Sequence, residues 1–198
     1  MSGTCDPTTT SAKIVIAGAF GVGKTTMITK LTDREPLRTE EILTEAGVGI
    51  DDLAGVQDKK TTTVALDFGR LDLPSGPKLY LFGTPGQDRF WPMWDSIALG
   101  ALGAIVIVDP QRLGQCFAIL DFFEDRGIPF VVAVNEFDGA PHHEPDQIAG
   151  ALDLDPDVPV LHFDARSKPA TKDVLVAVLD RAIEHRTGRP DAARATSP

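Results

Sequence analysis

At 198 residues the chain has the length of one α/β domain, long enough to bury on the order of 70% of its unfolded surface, and a second domain is not expected. Its 19 basic residues stand against 29 acidic ones, a net charge of −10, which argues against nucleic acid or an anionic membrane surface as the main partner. Two cysteines, Cys5 in a polar leader and Cys116 in a mixed apolar run, make no disulfide framework and fit a reducing cytoplasm.

Residues 1–11, rich in Thr, Ser and Pro, read as a disordered leader without the apolar core of a signal peptide. The tail 188–198, GRPDAARATSP, reads the same way, leaving one domain at 12–187. No apolar run reaches membrane-spanning length. Residue 2 is Ser, where myristoylation needs Gly, and neither cysteine is near the C-terminus, so membrane recruitment is expected only through a partner.

The first strand signal is the β-branched run Lys13 to Ala17. It runs into Gly18-Ala19-Phe20-Gly21-Val22-Gly23-Lys24-Thr25, which matches G-x-x-x-x-G-K-[ST], the P-loop. A helix follows from Thr26, with Met27, Ile28 and Leu31 at helical spacing. Strand before and helix after is the context this motif needs. Glycines let backbone pass close to oxygen atoms, so that N–H groups of Gly18, Phe20, Gly21, Val22, Gly23 and Thr26 and the helix N-terminus point at phosphates. Lys24 would reach the β- and γ-phosphates, and the Thr25 hydroxyl would ligate Mg²⁺.

Asp33 to Lys60 is polar, carries Gly47, Gly49 and Gly55, and shows no sustained period; at that length it is expected to be functional or mobile. Thr61 to Leu71 and Pro77 to Phe82 form a hairpin across the turn Pro74-Ser75-Gly76. Ala104 to Val108 and Phe130 to Val134 are continuous apolar runs suited to buried parallel strands, and Val158 to Phe163 makes a sixth strand. Helical patterns lie between them: Gln111 to Arg126, with Leu113, Phe117, Leu120 and Phe123 on one face, and Thr171 to about Arg186, with Leu175, Val178, Leu179 and Ile183 as its stripe. The alternation predicts an α/β P-loop NTPase: a six-stranded, mostly parallel sheet with helices on both faces, the strand order reversing beside the P-loop. Trp91 and Trp94 fit either a core or a partner surface, and His142 and His143 read as surface residues of a Pro-bounded loop.

Four segments resemble the Ras-like small GTPases, and the likeness covers almost the whole folded region. Thr63-Val64-Ala65-Leu66-Asp67-Phe68 resembles switch I, which implies Thr63 as the second hydroxyl on Mg²⁺, with Thr61 and Thr62 as neighbours one register away. Gly83-Thr84-Pro85-Gly86-Gln87-Asp88-Arg89-Phe90 resembles switch II, implying that the Gly86 N–H meets the γ-phosphate and Gln87 orients the attacking water. Asn135-Glu136-Phe137-Asp138 is similar to N-K-x-D, in which Asp138 would accept from the guanine N1–H and 2-amino groups. Asp164-Ala165-Arg166 stands where the superfamily has S-A-K, so that the Ala165 N–H would contact guanine O6 beside Arg166.

The resemblance implies GTP and GDP with Mg²⁺ as ligands and Gln87, Lys24 and Thr63 as the catalytic set. Three departures stand out: Gly83 replaces the Asp that touches Mg²⁺ through water, Glu136 replaces Lys, and Phe20 adds bulk beside Gln87. Asp67 or Asp109 is the candidate replacement for the missing carboxylate. Phe20 obstructs an arginine finger, so slow hydrolysis is expected; Lys60 and Arg89 are the nearest cationic candidates in the chain. The Gly-Thr-Pro-Gly-Gln switch II resembles bacterial members, nearest to the actinobacterial conservon GTPases and the gliding-motility and polarity GTPases, which implies a roadblock-type regulatory protein and sensor kinase-like components as partners. A nucleotide-binding scaffold with negligible turnover is the alternative; a P-loop small-molecule kinase is disfavoured, because residues 141–157 are acidic where an Arg-bearing lid would be needed.

Overall fold

The computed structural model describes residues 11–32, 37–43, 62–74, 76–86 and 88–188. Strand β1 (Ser11–Ala17) is central. On one side it pairs in parallel with β4 (Lys78–Gly83), and on the other in parallel with β5 (Gly103–Val108). Beyond β5 come β6 (Phe130–Asn135) and β7 (Val160–Phe163), both parallel. Beyond β4 comes antiparallel β3 (Thr62–Asp72), the hairpin expected around residues 74–76, closed by Leu73 N–H donating to Pro77 O at 3.0 Å. The strand order β2-β3-β4-β1-β5-β6-β7 reverses at β1, where a doubly wound sheet opens a crevice at its carboxyl edge.

All six expected strands are present, and a seventh joins them. Edge strand β2 (Leu37–Leu43) pairs antiparallel with β3 in the segment read as a long loop. Its sequence, Leu-Arg-Thr-Glu-Glu-Ile-Leu, lacks the alternation of a half-buried strand, and charge on an edge strand blocks pairing with another chain.

The helices are α1 (Lys24–Thr32), α2 (Trp94–Ala98), α3 (Phe117–Asp125), α4 (Pro145–Ala151) and α5 (Lys168–Thr187). Period-two alternation in the buried strands divides the core into two layers. Ile14, Ile16, Ile105 and Ile107 face α1 and α5 through Met27, Ile28, Leu31, Val174 and Val178. Val15, Ala17, Val106 and Val108 face Trp94, Leu120, Phe123 and Ile148 on the other side. Strands with both faces covered are why these runs are apolar without interruption.

Two helix faces turn differently from the expected stripes. In α3 the buried set is Ile119, Leu120, Phe122 and Phe123, continued back to Cys116, while Phe117 is 43% exposed. A 3-10 turn at Leu113–Gln115 precedes the helix and rotates its first residue outward. In α5 the stripe is Thr171, Val174, Leu175, Val178 and Ala182, and Ile183 is 58% exposed. Ser167 caps α5 by accepting from Ala170 N–H, and Gly188 closes it in the left-handed conformation. Among the described residues no helix is long and apolar enough to cross a membrane.

Candidate nucleotide site

The P-loop turns tightly between β1 and α1 because its glycines hold backbone shapes that side chains resist. Gly23 has φ +111°, and a Cβ there would lie 2.8 Å from Asn135 Nδ2 and 3.2 Å from Ala165 Cβ. Gly86, arriving from the end of β4, approaches so closely that a Cβ would meet Phe20 N at 2.7 Å and Lys24 Nζ at 2.8 Å. Such a backbone cradle at a helix N-terminus fits a phosphate chain.

Lys24 is buried, and its Nζ donates to Gly18 O and Ala19 O at 2.7 Å each. Burial lowers its pKa to about 8, with the Asp67 carboxylate pulling the other way. The Thr25 hydroxyl donates to Asp67 Oδ2, a bond that places one hydroxyl and one carboxylate side by side next to the loop. Asp67 lies opposite Gly83 in the β3–β4 ladder, and a Cβ on Gly83 would sit 3.1 Å from Asp67 Cβ. A carboxylate on β3 thus stands directly across the ladder from Gly83 of β4. Asp109 does not share this position: its oxygens accept from Gln111 N–H at 2.9 Å and Arg112 Nε at 2.8 Å. Two hard oxygen donors beside a phosphate cradle fit Mg²⁺.

Phe20, Gly21, Gly23, Lys24, Thr25, Thr26, Asp67, Thr84, Pro85 and Gly86 line one cleft of about 380 Å³, so the loop and the switch II glycine come together as expected. Val22 buries its side chain in the core, and its carbonyl is engaged from the base side. That carbonyl accepts from Asn135 Nδ2 at 3.0 Å, while Asn135 Oδ1 accepts from Ala165 N–H at 3.0 Å. One buried amide thus joins the P-loop, the end of β6 and the turn after β7.

At the outer end of this bridge Arg166 donates to both oxygens of Asp138 at 3.1 Å, and its Nε donates to Asp164 at 2.9 Å. The hydrogen bond from Arg166 lowers the Asp138 pKa and, with a second bond from the Arg166 backbone N–H, that of Asp164. Asp138 is exposed, and both of its oxygens accept from Arg166.

Residues 16–185 match the family described as "Conserved hypothetical ATP binding protein". The chain belongs to this family. It is also similar to an uncharacterized protein of Methanocaldococcus jannaschii, 29% identical over 128 residues, covering 64% of this chain and 70% of that one. Human Ras-related protein Rab-7b is 26% identical over 181 residues, covering 86% of this chain and 82% of its own. Zebrafish Ras-related protein Rab-18-B is 33% identical over 107 residues, 54% of this chain and 44% of its own. Among solved structures, the FeoB G-domain from Methanococcus jannaschii superposes with a TM-score of 0.57 at 18% identity, covering 88% of this chain and 99% of that one, which shows the shared fold.

In this member of the ATP-binding family, Gln87 lies outside the described residues, and of Thr63 only the backbone is described. Thr63, on β3, pairs with Ile42 on β2 and lies four strand residues before Asp67, hence about 13 Å from it along the strand. In this arrangement its backbone is not beside the Thr25–Asp67 pair. Trp94 is buried and Trp91 partly so; they stack at 4.7 Å and meet the Phe122 ring edge-on, which assigns Trp94 to the core. Phe20, 70% exposed, overhangs a second cleft of about 600 Å³ floored by these tryptophans and walled by Pro85, Gly86 and Arg112. Of the two candidate carboxylates, Asp67 is the one in register with Gly83, and a ladder register is not written in either strand alone.

Proposed function

We infer that this protein is a guanine-nucleotide switch, which binds GTP and GDP with Mg²⁺ and hydrolyses GTP slowly. The observation that carries this reading is the Asn135 amide, which ties the P-loop to the two turns that carry Asp138 and Ala165. Asp138 would read the base on releasing Arg166, whereas the Ala165 N–H, expected at guanine O6, donates to Asn135 Oδ1 instead. A carboxylate accepts from the N1–H and 2-amino groups of guanine; adenine presents no such donor pair. The family's name says ATP, so base selection is the point to test.

Lys24 gives up its two carbonyl partners to reach the β- and γ-phosphates. Thr25 and Asp67 would hold Mg²⁺, whose bound charge offsets that of the phosphates. The Gly86 N–H, next to Lys24, meets the γ-phosphate and reports its presence to the segment that follows. Water attacks the γ-phosphorus in line, oriented by Gln87, and inorganic phosphate and GDP leave. For Thr63 to join the site, residues 62–66 must leave their place opposite β2, which makes the β2–β3 ladder the moving part of the switch. Phe20, exposed at the mouth, blocks an arginine from a partner and keeps turnover slow. Kinship with the conservon and gliding-motility GTPases, a roadblock-type regulator reading the switch, and membrane recruitment through such a partner belong to the same proposal.

The test is titration of nucleotide-free protein with fluorescent GDP and ADP analogues in Mg²⁺, repeated on Asp138→Ala. Selective GDP binding that the variant loses is the expected result. Equal binding of ADP, or no effect of the substitution, removes the guanine assignment and returns the site to adenine nucleotides.

A further inference from the structure

Opposite the phosphate cradle, on the outer side of the base loop, a second group of side chains converges. Glu136 follows the last residue of β6, and its N–H donates to Phe163 O at 2.8 Å. His162 lies on β7 opposite Val134, so Glu136, two residues on, leaves the same face of the sheet. The Pro-bounded loop brings His142 over both: its ring lies 4.6 Å from that of His162. Glu136 Oε1 is 4.0 Å from His142 Nδ1 and 3.8 Å from His162 Nδ1. One ligand atom from each of the three residues lies within 4.8 Å of the others, beside a cavity of about 240 Å³.

His162 supplies the observation that turns a cluster into a site. Its Nε2 lies 2.8 Å from the His143 carbonyl, an acceptor only, so Nε2 carries a proton and in the neutral ring Nδ1 presents its lone pair. That Nδ1 is shut off from solvent and has no hydrogen-bond partner. A buried nitrogen acceptor left unpaired is costly, and imidazole fixed by a backbone carbonyl through its far nitrogen is the usual posture of a metal ligand.

We propose that Glu136, His142 and His162 form a binding site for a borderline divalent cation of the zinc class, which staples the base-recognition loop to β7. Two imidazoles and one carboxylate suit zinc rather than Mg²⁺ or Ca²⁺, which take oxygen sets. Ligand atoms around tetrahedral zinc stand about 3.3 Å apart. Exposed Glu136 and His142 need to close only about 0.5–1.5 Å onto the anchored His162. Bound metal would fix residues 136–142, the stretch that contains Asp138, to the strand that leads into Ala165. Glu136 is then a ligand at the position where the Ras-like pattern has lysine.

The experiment is zinc titration of the tag-free full chain in excess Mg²⁺ against a chromophoric chelator, without added nucleotide, so that failure here is separate from failure of the guanine reading. One zinc per chain at micromolar free zinc is expected. The surface changes His142→Ala and Glu136→Gln should each weaken it about tenfold or more, with melting temperature unchanged. Cys5→Ser and His185→Ala should bind as wild type, and amides of residues 136–142 should exchange more slowly with zinc present. The proposal is overturned if wild type takes up no zinc, if either ligand variant binds normally, if either control loses binding, or if exchange in that loop is unaltered.

Discussion

Moving the carboxylate back across the ladder tests the role of Asp67 most directly. Asp67→Ala removes the acceptor of the Thr25 hydroxyl and, with it, one of the two oxygen donors proposed for Mg²⁺. Loss of such a partner weakens metal binding by about 10- to 100-fold, so the Mg²⁺ concentration needed for tight GDP binding should rise by that factor. Gly83→Asp alone puts a second carboxylate opposite the first, with its Cβ 3.1 Å from Asp67 Cβ and 3.2 Å from Ile28 Cδ1. At a carboxylate separation of about 5 Å and an effective dielectric of 20, repulsion amounts to about 3 kcal/mol. For a domain of this size that is a fall of about 6–12 °C in Tm without Mg²⁺. Combining the two substitutions relieves the repulsion and should return the Mg²⁺ dependence to near that of wild type. The assay is Mg²⁺ titration of fluorescent GDP binding with melting curves in EDTA. An Asp67→Ala protein with unaltered Mg²⁺ dependence, or a double variant no better than Asp67→Ala, refutes the transfer of the carboxylate from β4 to β3.

Asn135→Ala strands the Ala165 N–H and the Val22 carbonyl in a buried position, and should cost about 2–4 kcal/mol, read as a Tm lower by about 5–15 °C in the nucleotide-free protein. Lys24 must be protonated to hold phosphate, and its pKa of about 8 in the free protein means that affinity falls as pH rises. GDP binding should weaken about fourfold from pH 7 to pH 8.5 in isothermal titrations, and Lys24→Arg should abolish that slope. Cys116 is 1% exposed, and burial pushes its thiol up to about 11, so peptide mapping after alkylation at pH 8 should find it unmodified until the fold is melted.

How much of the fold could be read from the chain follows from where each signal resides. The buried strands announce themselves because both faces are covered, so Ala104 to Val108 and Phe130 to Val134 need no partner to be recognised. Edge strand β2 was invisible for the complementary reason: Arg38, Glu40 and Glu41 interrupt any apolar pattern, and its strand character comes from hydrogen bonds to β3. The helix faces failed at Phe117 and Ile183, where a choice between two frames one residue apart was settled by the approach of Cys116 and Ala182 to the core.

The site divides along the same line. Gly18 to Thr26 is contiguous, and its chemistry is local: a strand, a glycine turn and a helix start suffice. What sequence could not show are the pairings between distant residues, Asp67 with Gly83 and Glu136 with His142 and His162, which depend on strand register. Both pairings occur where the chain departs from the Ras-like pattern. At Gly83 the lost carboxylate has a substitute across the ladder. At Glu136 the inverted charge has two imidazoles around it, one of them with a buried, unpaired nitrogen. A departure judged one position at a time looks like a loss; judged with its spatial neighbours, each one lies beside side chains from elsewhere in the chain that offer a replacement chemistry.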